Sequence, residues 1–356
     1  MNKYFLYLAA ALLIVACTVQ TEEPTEEVPI TSIFLNRSNA LLLVGSILNL
    51  KATVEPAEAS FKSVTWSTSD DRIATVNSEG ELTAVAPGTT IITATTDDGE
   101  PATCTITVAD IGITATAEAS FLTLVISAGS GNVFIDWGDG ELTETNNDSS
   151  DELVFFHRYS HKSEYIITFT GNNIESLLCD NYSQRDLSNS MLKNYPFHDG
   201  YFTALDVSRN PALKSLICVE NRISTLDLRN NVLLEYLECW DNRLTNLDVS
   251  CNTALKWLEC IGNQLTNLDV SSSALLEFLS CQSNRLTALN VSDNTALTFL
   301  GCSDNQLTTS ALNELFRTLH ANFSVYGKKI SIGRNPGEND CDVSIAEEKG
   351  WNVYYY

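Results

Sequence analysis

Five cysteines stand 21 residues apart, at Cys218, Cys239, Cys260, Cys281 and Cys302, each inside one frame, LxxLxCxxNxL. A fixed period of roughly 20 to 29 residues marks stacked units, none of which can bury its apolar edge alone, so each coil completes the core of the next. The frame runs without a gap. Leu213, Leu234, Leu255, Leu276 and Leu297 open it, and Leu216, Leu237, Leu258, Leu279 and Leu300 follow. Asn221, Asn242, Asn263, Asn284 and Asn305 then precede Ile223, Leu244, Leu265, Leu286 and Leu307. The expected architecture of this region is a solenoid.

The frame and its second half, LDVSxN at 205–210 and 247–252 and LNVSDN at 289–294, resemble the leucine-rich repeat family. Asn263 to Val270, NQLTNLDV, is most similar to the short repeats of internalin-like surface proteins. By that resemblance LxC is the strand lining the hollow of a horseshoe, with Leu and Cys pointing inward at period two. The Asn column would turn the chain and satisfy buried backbone groups, and Cys would replace Leu as a small apolar filler. A metal site or disulfide framework is the rival reading, because the chain carries 10 cysteines and is expected to be exported. Stacked strands lie about 4.8 Å apart, so neighbouring thiols point the same way instead of at each other. No CxxC pair occurs, which removes the usual zinc signature. Cys104 and Cys179 are read as core in the same way; Cys251 and Cys341 stay open.

If LxC lines the hollow, the residue before its Leu faces that hollow: Ser215, Tyr236, Trp257, Phe278 and Phe299. A second column, Val219, Trp240, Ile261, Gln282 and Ser303, is expected to be exposed. With about half of each ring accessible, the stripe including Trp240 would offer roughly 400 to 600 Å², a size that marks partner sites. Glu238 and Glu259 beside it would add acidic selectivity. The competing reading is that in-register aromatics stack and support the sheet with no ligand. On the other half-repeat Asp206, Asp227, Asp248 and Asp269, continued by Asn290, form a carboxylate column. Their mutual repulsion, roughly 0.8 kcal/mol per neighbour in water, calls for compensation by turn backbone hydrogen bonds or by a row of calcium ions.

At the other end Asn2 and Lys3 precede an apolar run from Tyr4 to Ala16, too short to be a permanent membrane span. Ile14, Val15, Ala16 and Cys17 resemble the lipobox of bacterial lipoproteins. The resemblance implies cleavage before Cys17, acylation of that residue and attachment to a membrane by lipid; Thr18 in place of Asp implies the outer membrane. Thr21 to Val28, TEEPTEEV, is an acidic tether similar to the export tags of surface-exposed lipoproteins. A net charge of -24 argues against nucleic acid as a partner.

The 356 residues, 44% of them apolar, suffice for two or three cores. Ile30 to Val108 alternates in short strands. Val64 to Ser67, Ile73 to Val76, Gly80 and Gly88 to Thr95 resemble the bacterial Ig-like group 2 domain, which makes Trp66 a core residue between two sheets. In Ile111 to Gly171, Ile135 to Gly140 resembles the DWGDG turn of PKD-like sandwiches, and His157, Tyr159 and Tyr165 to Phe169 fit that family's closing strands. Asp136 and Asp139 are calcium candidates, or simply turn formers. His157 and His161 are read as structural.

The expected fold class is mainly β: two Ig-like β-sandwich domains, then a leucine-rich-repeat solenoid with a small α/β C-terminal cap. The divisions are a lipoprotein signal peptide at 1–16, an acidic tether at 17–29, the Ig-like group 2 domain at 30–109, a PKD-like sandwich at 110–171, the solenoid at 172–309 and the cap at 310–356. In the cap, Ala311 to His320 reads as a helix, and Lys328 to Ile332 and Trp351 to Tyr355 as strands. The insertion at 181–202 has no assignment. The histidines are scattered and no GxSxG, HExxH, phosphate loop or dinucleotide fingerprint occurs, so no enzyme is expected, and no cofactor beyond a calcium ion. The functional expectation is a lipid-anchored surface adhesion or recognition protein. It would bind an external protein through Tyr236, Trp240, Trp257, Phe278, Phe299, Glu238 and Glu259. The alternatives are a glycan-capture lipoprotein of a polysaccharide uptake system and a structural spacer with no specific ligand.

Overall fold

A computed structural model describes residues 27–60, 62–147, 152–171, 173–179, 200–325 and 327–356. The expected signal peptide, Cys17, most of the tether and the insertion as far as residue 199 lie outside them. No helix among the described residues is long and apolar enough to cross a membrane.

The first unit comprises β1 (Ser32–Leu35), β2 (Asn39–Leu43), β3 (Ile47–Asn49), β4 (Ala52–Glu55), β5 (Thr65–Thr68), β6 (Ala74–Val76), β7 (Glu81–Ala84), β8 (Gly88–Thr95) and β9 (Ala102–Ala109). One sheet runs β2, β9, β8, β5, a second β3, β7, β6, and β1 pairs with β4. Period-two alternation builds it: Ile92 and Ala94 in β8 and Cys104, Ile106 and Val108 in β9 are buried on one face. Trp66 packs against this core. Gly80 sits beneath it at φ +81°, where a Cβ would stand 2.8 Å from the indole, so only glycine fits. In β2 the alternation fails, and Ala40 to Leu43 are all buried. A strand reads this way when both its faces are covered; Ala40 and Leu42 join the unit's own core, while Leu43 approaches Gly112 at the start of the next segment.

That segment contains β10 (Ile113–Ala128), β11 (Gly131–Asp136), β12 (Leu142–Asn147) and β13 (Glu152–Thr170), followed by β14 (Ile174–Leu178) and β15 (Tyr201–Asp206). β10 and β13 form a long antiparallel ribbon whose register shifts between Ala119 and Phe121. On its other edge β10 pairs with β15 along Thr114 to Glu118 and with β14 along Val125 to Ala128. β14 opens a parallel ladder through β16 (Ser215–Ile217), β17 (Tyr236–Glu238), β18 (Trp257–Glu259), β19 (Phe278–Ser280) and β20 (Phe299–Gly301).

The self-contained second sandwich expected over 110–171 is therefore corrected: its strands share one sheet and one core with the ladder. The first coil has no coil before it, so its apolar edge and its backbone donors and acceptors need cover. β10 covers both halves of that coil at once, with Ala115, Ala117, Leu122, Leu124 and Ile126 fully or almost fully buried. The segment closes the end of the stack.

Along the ladder the Leu and Cys columns are buried at 0–1% exposure. The Asn column bonds one coil to the last: Asn263 Oδ1 accepts the N–H of Leu244 at 2.9 Å, and its Nδ2 donates to the carbonyls of Cys239 and Cys260 at 2.9 and 3.2 Å. Beyond β20 come α1 (Thr309–Thr318), β21 (Lys328–Ser331), α2 (Ser344–Glu347) and β22 (Trp351–Tyr354). Thr308 caps α1 by accepting the N–H of Ala311 at 3.3 Å, and Leu312, Leu315 and Phe316 bury one face. Lys349 Nζ closes its other end on the carbonyls of Phe316, Arg317 and Leu319. β21 and β22 extend the ladder in parallel, and Asn335 repeats the Asn pattern, accepting from Leu307 and donating to Cys302.

Candidate functional site

In a strand of three residues the first and third share a face. Tyr236 and Glu238, and likewise Trp257 and Glu259, therefore lie opposite the core-facing Leu237 and Leu258. Parallel in-register pairing sets Tyr236, Trp257, Phe278 and Phe299 side by side. Their rings stack at centroid distances of 5.5, 3.7 and 4.5 Å and interplanar angles of 16, 2 and 8°. Every ring is half-buried; Trp257 and Phe278 have a ring on both faces, and Tyr236 and Phe299 on one. The broad accessible stripe expected from sequence is corrected to a row of half-buried rings whose two inner members present their edges.

Two carboxylates are fixed by this row. The Tyr236 hydroxyl donates to Glu238, which is only 8% exposed, and Trp257 Nε1 donates to Glu259 Oε1 at 3.1 Å. Ser280 and Gly301 continue the column, so the acid is confined to β17 and β18. Trp240 is half-buried on the same face. Beside it Glu220 and Asp241 adopt φ of 52 and 50°. Burial, and then the charge of Asp241, raises the pKa of Glu220; burial raises that of Asp241. Asp241 leans over Gly262, where a Cβ would meet its Oδ1 at 1.9 Å, so a side chain at 262 would have to displace that carboxylate. From β16 to β20 the columns of Ser215, Ile217 and Val219 hold no Lys or Arg; on β21 the exposed Lys329, in register with Phe299, follows the aromatic row. Within the third column the expected exposure of Val219 and Ser303 is wrong: they are 0 and 5% exposed. Ser303 is covered because its hydroxyl bonds Ser331 Oγ and the Tyr356 carbonyl, both at 2.6 Å.

Of the Asp column, Asp206, Asp227 and Asp248 line a separate cleft of about 640 Å³ with Thr116 and Arg229. Each side chain accepts the backbone N–H two residues on, at 2.9 Å for Asp206, 3.1 Å for Asp227, 3.0 Å for Asp248 and Asp269, and 2.9 Å for Asn290. Side-chain hydrogen bonds from Arg229 hold the Asp227 carboxyl down to about 2, and bonds from Ser250 and Ser271 lower Asp248 and Asp269. Local donors thus offset the repulsion along the column.

The calcium candidates are otherwise engaged. Both oxygens of Asp136 accept from Arg37, and Asp139 Oδ2 lies 2.7 Å from His157 Nε2. His157 also stacks on Trp137 at 4.7 Å, and the Tyr159 hydroxyl donates to the Trp137 carbonyl at 2.9 Å. The turn and closing-strand motifs meet as one packed cluster. Among the described cysteines none is bridged, and only Cys251 is exposed. Burial pushes the Cys218 and Cys281 thiols up to about 12. Sequence reading missed Asn335, Arg37 and Gly262. Ile-x-Ile-x-x-Asn from Ile330 to Asn335 would have revealed the first, as a coil in which Ile replaces Leu and Cys.

The chain is 42% identical over 80 residues to an uncharacterized protein of Clostridium acetobutylicum, covering 22% of this chain and 8% of that protein. A second protein of that organism is 40% identical over 85 residues, with coverages of 23% and 21%. The chain therefore spans a small part of these relatives. A lacto-N-biosidase of Bifidobacterium bifidum is 44% identical over 66 residues, 18% of this chain and 6% of the enzyme, and that similarity lies in the Ig-like region alone. Among solved structures, the functional domain of InlJ from Listeria monocytogenes, described as including a cysteine ladder, aligns with a TM-score of 0.36 and 32% identity over 43% of this chain and 32% of its own. YopM of Yersinia pestis aligns at 0.28 with 19% identity, over 42% and 44%. Residues 29–106 match the family model of the bacterial Ig-like domain (group 2), and β1 to β9 are that domain.

Proposed function

We propose that this chain is a bacterial surface adhesion or recognition protein whose leucine-rich repeats, residues 172–309, bind an external protein through the aromatic face. The observation that carries this reading is the stacked row Tyr236, Trp257, Phe278 and Phe299 with Glu238 and Glu259 fixed beside it. Rings already held by their neighbours lose little freedom on binding. The inner rings, Trp257 and Phe278, offer no open face to a sugar, whereas a protein surface can engage edges and carboxylates, so the centre of the row favours protein over glycan. The acidic columns favour a partner that presents Lys or Arg. The Ig-like domain at 29–106 fits a surface setting, and the lipobox resemblance supplies an outer-membrane anchor at Cys17. Changing Cys17→Ala should then release the chain from membranes or leave it unprocessed.

The test is a binding screen of the full chain against extracellular proteins and against a glycan array. A protein ligand should be found, and Trp257→Ala should weaken it by about 2 kcal/mol or more, the scale of a central aromatic anchor. Signal on glycans alone replaces this reading with glycan capture. A folded Trp257→Ala, Phe278→Ala double variant that binds unchanged places the site elsewhere.

A further inference from the structure

Where the Ig-like domain meets the long sheet, Asp136 collects four hydrogen bonds. Arg37 Nη1 donates to both its oxygens at 3.0 and 2.8 Å, the Leu41 N–H to Oδ2 at 3.1 Å and the Gly138 N–H to Oδ1 at 2.9 Å. Three of the four come from the Ig-like domain, on the turn before β2 and on β2 itself. The two charged side chains are 12 and 6% exposed. Charges withdrawn from water this far persist only when fully paired, and removing either partner strands the other. Apolar contact surrounds them: Leu41 and Leu43 are 1 and 4% exposed although neither belongs to the Ig-like core.

The connecting residues are held as well. A Cβ on Gly112 would stand 2.8 Å from Leu43 Cδ2 and 2.7 Å from the Phe169 carbonyl, so glycine is what lets the two units close here. The Gly112 N–H donates to the carbonyl of Arg209, in the first coil, at 3.3 Å. Arg209 also faces Asp110 at 3.8 Å, and the Ile111 carbonyl accepts from the Thr170 hydroxyl. A short linker of this kind usually leaves neighbouring domains free to swing, and here each of its residues has a partner.

We propose that Arg37 and Asp136 form a latch that fixes the Ig-like domain on the repeat sheet, so that the two units tumble and bend as one body. Asp136, a ligand candidate by its sequence motif, acts in this assignment as a positioning residue. The aromatic face is then presented at a set angle to the N-terminal domain, whatever it binds.

Hydrogen exchange on the full chain, read by mass spectrometry, tests the latch. Arg37→Met should speed exchange of the Leu41, Gly112 and Gly138 amides by at least about tenfold, as a local opening does, with β8 and β17 to β19 unchanged. Arg37→Lys, which keeps the charge but not the fork, should fall between that variant and wild type. Unchanged junction amides overturn the proposal. So does an equal loss of protection throughout β8 and β9, because Arg37 would then be a folding residue. If Arg37→Met does not fold, Arg37→Lys takes its place: faster exchange at the same three amides supports the latch, and unchanged exchange there overturns it. Small-angle scattering of the wild-type chain should fit one rigid body, and a curve that demands independently moving units also refutes the latch.

Discussion

One asparagine per coil satisfies groups that no apolar side chain could reach. Asn263 supplies an acceptor to Leu244 N–H and donors to the carbonyls of Cys239 and Cys260. Asn263→Ala leaves an amide and a neighbouring-coil carbonyl buried without partners, so urea unfolding should show a loss of about 3 kcal/mol. Asn263→Asp should be at least as harmful, because a carboxylate cannot donate to those carbonyls. The thiols give a second test. Burial raises Cys218 and Cys281 from the usual 9.0 to about 12 in the folded chain. A folded pKa above the unfolded one means that the stability is fully present below the unfolded pKa and is lost as pH rises through the folded one. The urea midpoint should therefore fall as pH rises from about 9 toward about 12, and Cys218→Ala with Cys281→Ala should shallow that fall. Cys251, exposed, should take iodoacetamide in the native state while the ladder thiols do not. A flat midpoint across the alkaline range would contradict the assignment.

The elements divide into those written locally and those set by distant partners. Trp257 lies between Tyr236 at 5.5 Å and Phe278 at 3.7 Å, so Trp257→Ala removes two stacks and should reduce stability by about 2 kcal/mol. Trp257→Phe keeps the stack and loses only the donor to Glu259; near wild-type melting of this variant, measured by far-ultraviolet dichroism, would separate support from hydrogen bonding. The aromatic row, the buried Leu and Cys columns and the Asn turns are all legible in the sequence, because a strict 21-residue period leaves one register. Period two then chooses the face. Val219 and Ser303 are not legible as buried: Ser303 is covered by Ser331 and the backbone of Tyr356, outside the repeat frame. Asn335 is hidden because α1 intervenes and breaks the count. The DWGDG turn and the HxY strand do announce their own contacts, His157 with Asp139 and Tyr159 with Trp137. Their motifs say nothing of β10 pairing with β14 and β15, which is why the segment reads from sequence as a free-standing sandwich.

At the scale of the whole molecule the described residues form two cores, one inside the Ig-like domain and one running from Ile113 to Trp351. A stack of coils has two apolar ends, and each must be closed against water and against pairing with another chain. Here β10 closes one end by bonding both β14 and β15, and α1, β21, α2 and β22 close the other. The two N-terminal segments should therefore differ sharply when removed. A chain lacking residues 27–109 loses a separate core and one latched contact, so the ladder should keep its cooperative thermal transition and the oligomeric state of the intact chain. A chain lacking residues 27–171 loses the ribbon, bares Leu177 and Leu205, which are 0 and 6% exposed in the intact fold, and leaves β14 with an open edge. It should aggregate or melt without a sharp transition, as seen by light scattering and circular dichroism. If the shorter chain instead melts as sharply and as high as the longer one, the ribbon is a spacer and not a cap, because the first coil would have shown that it can stand uncovered.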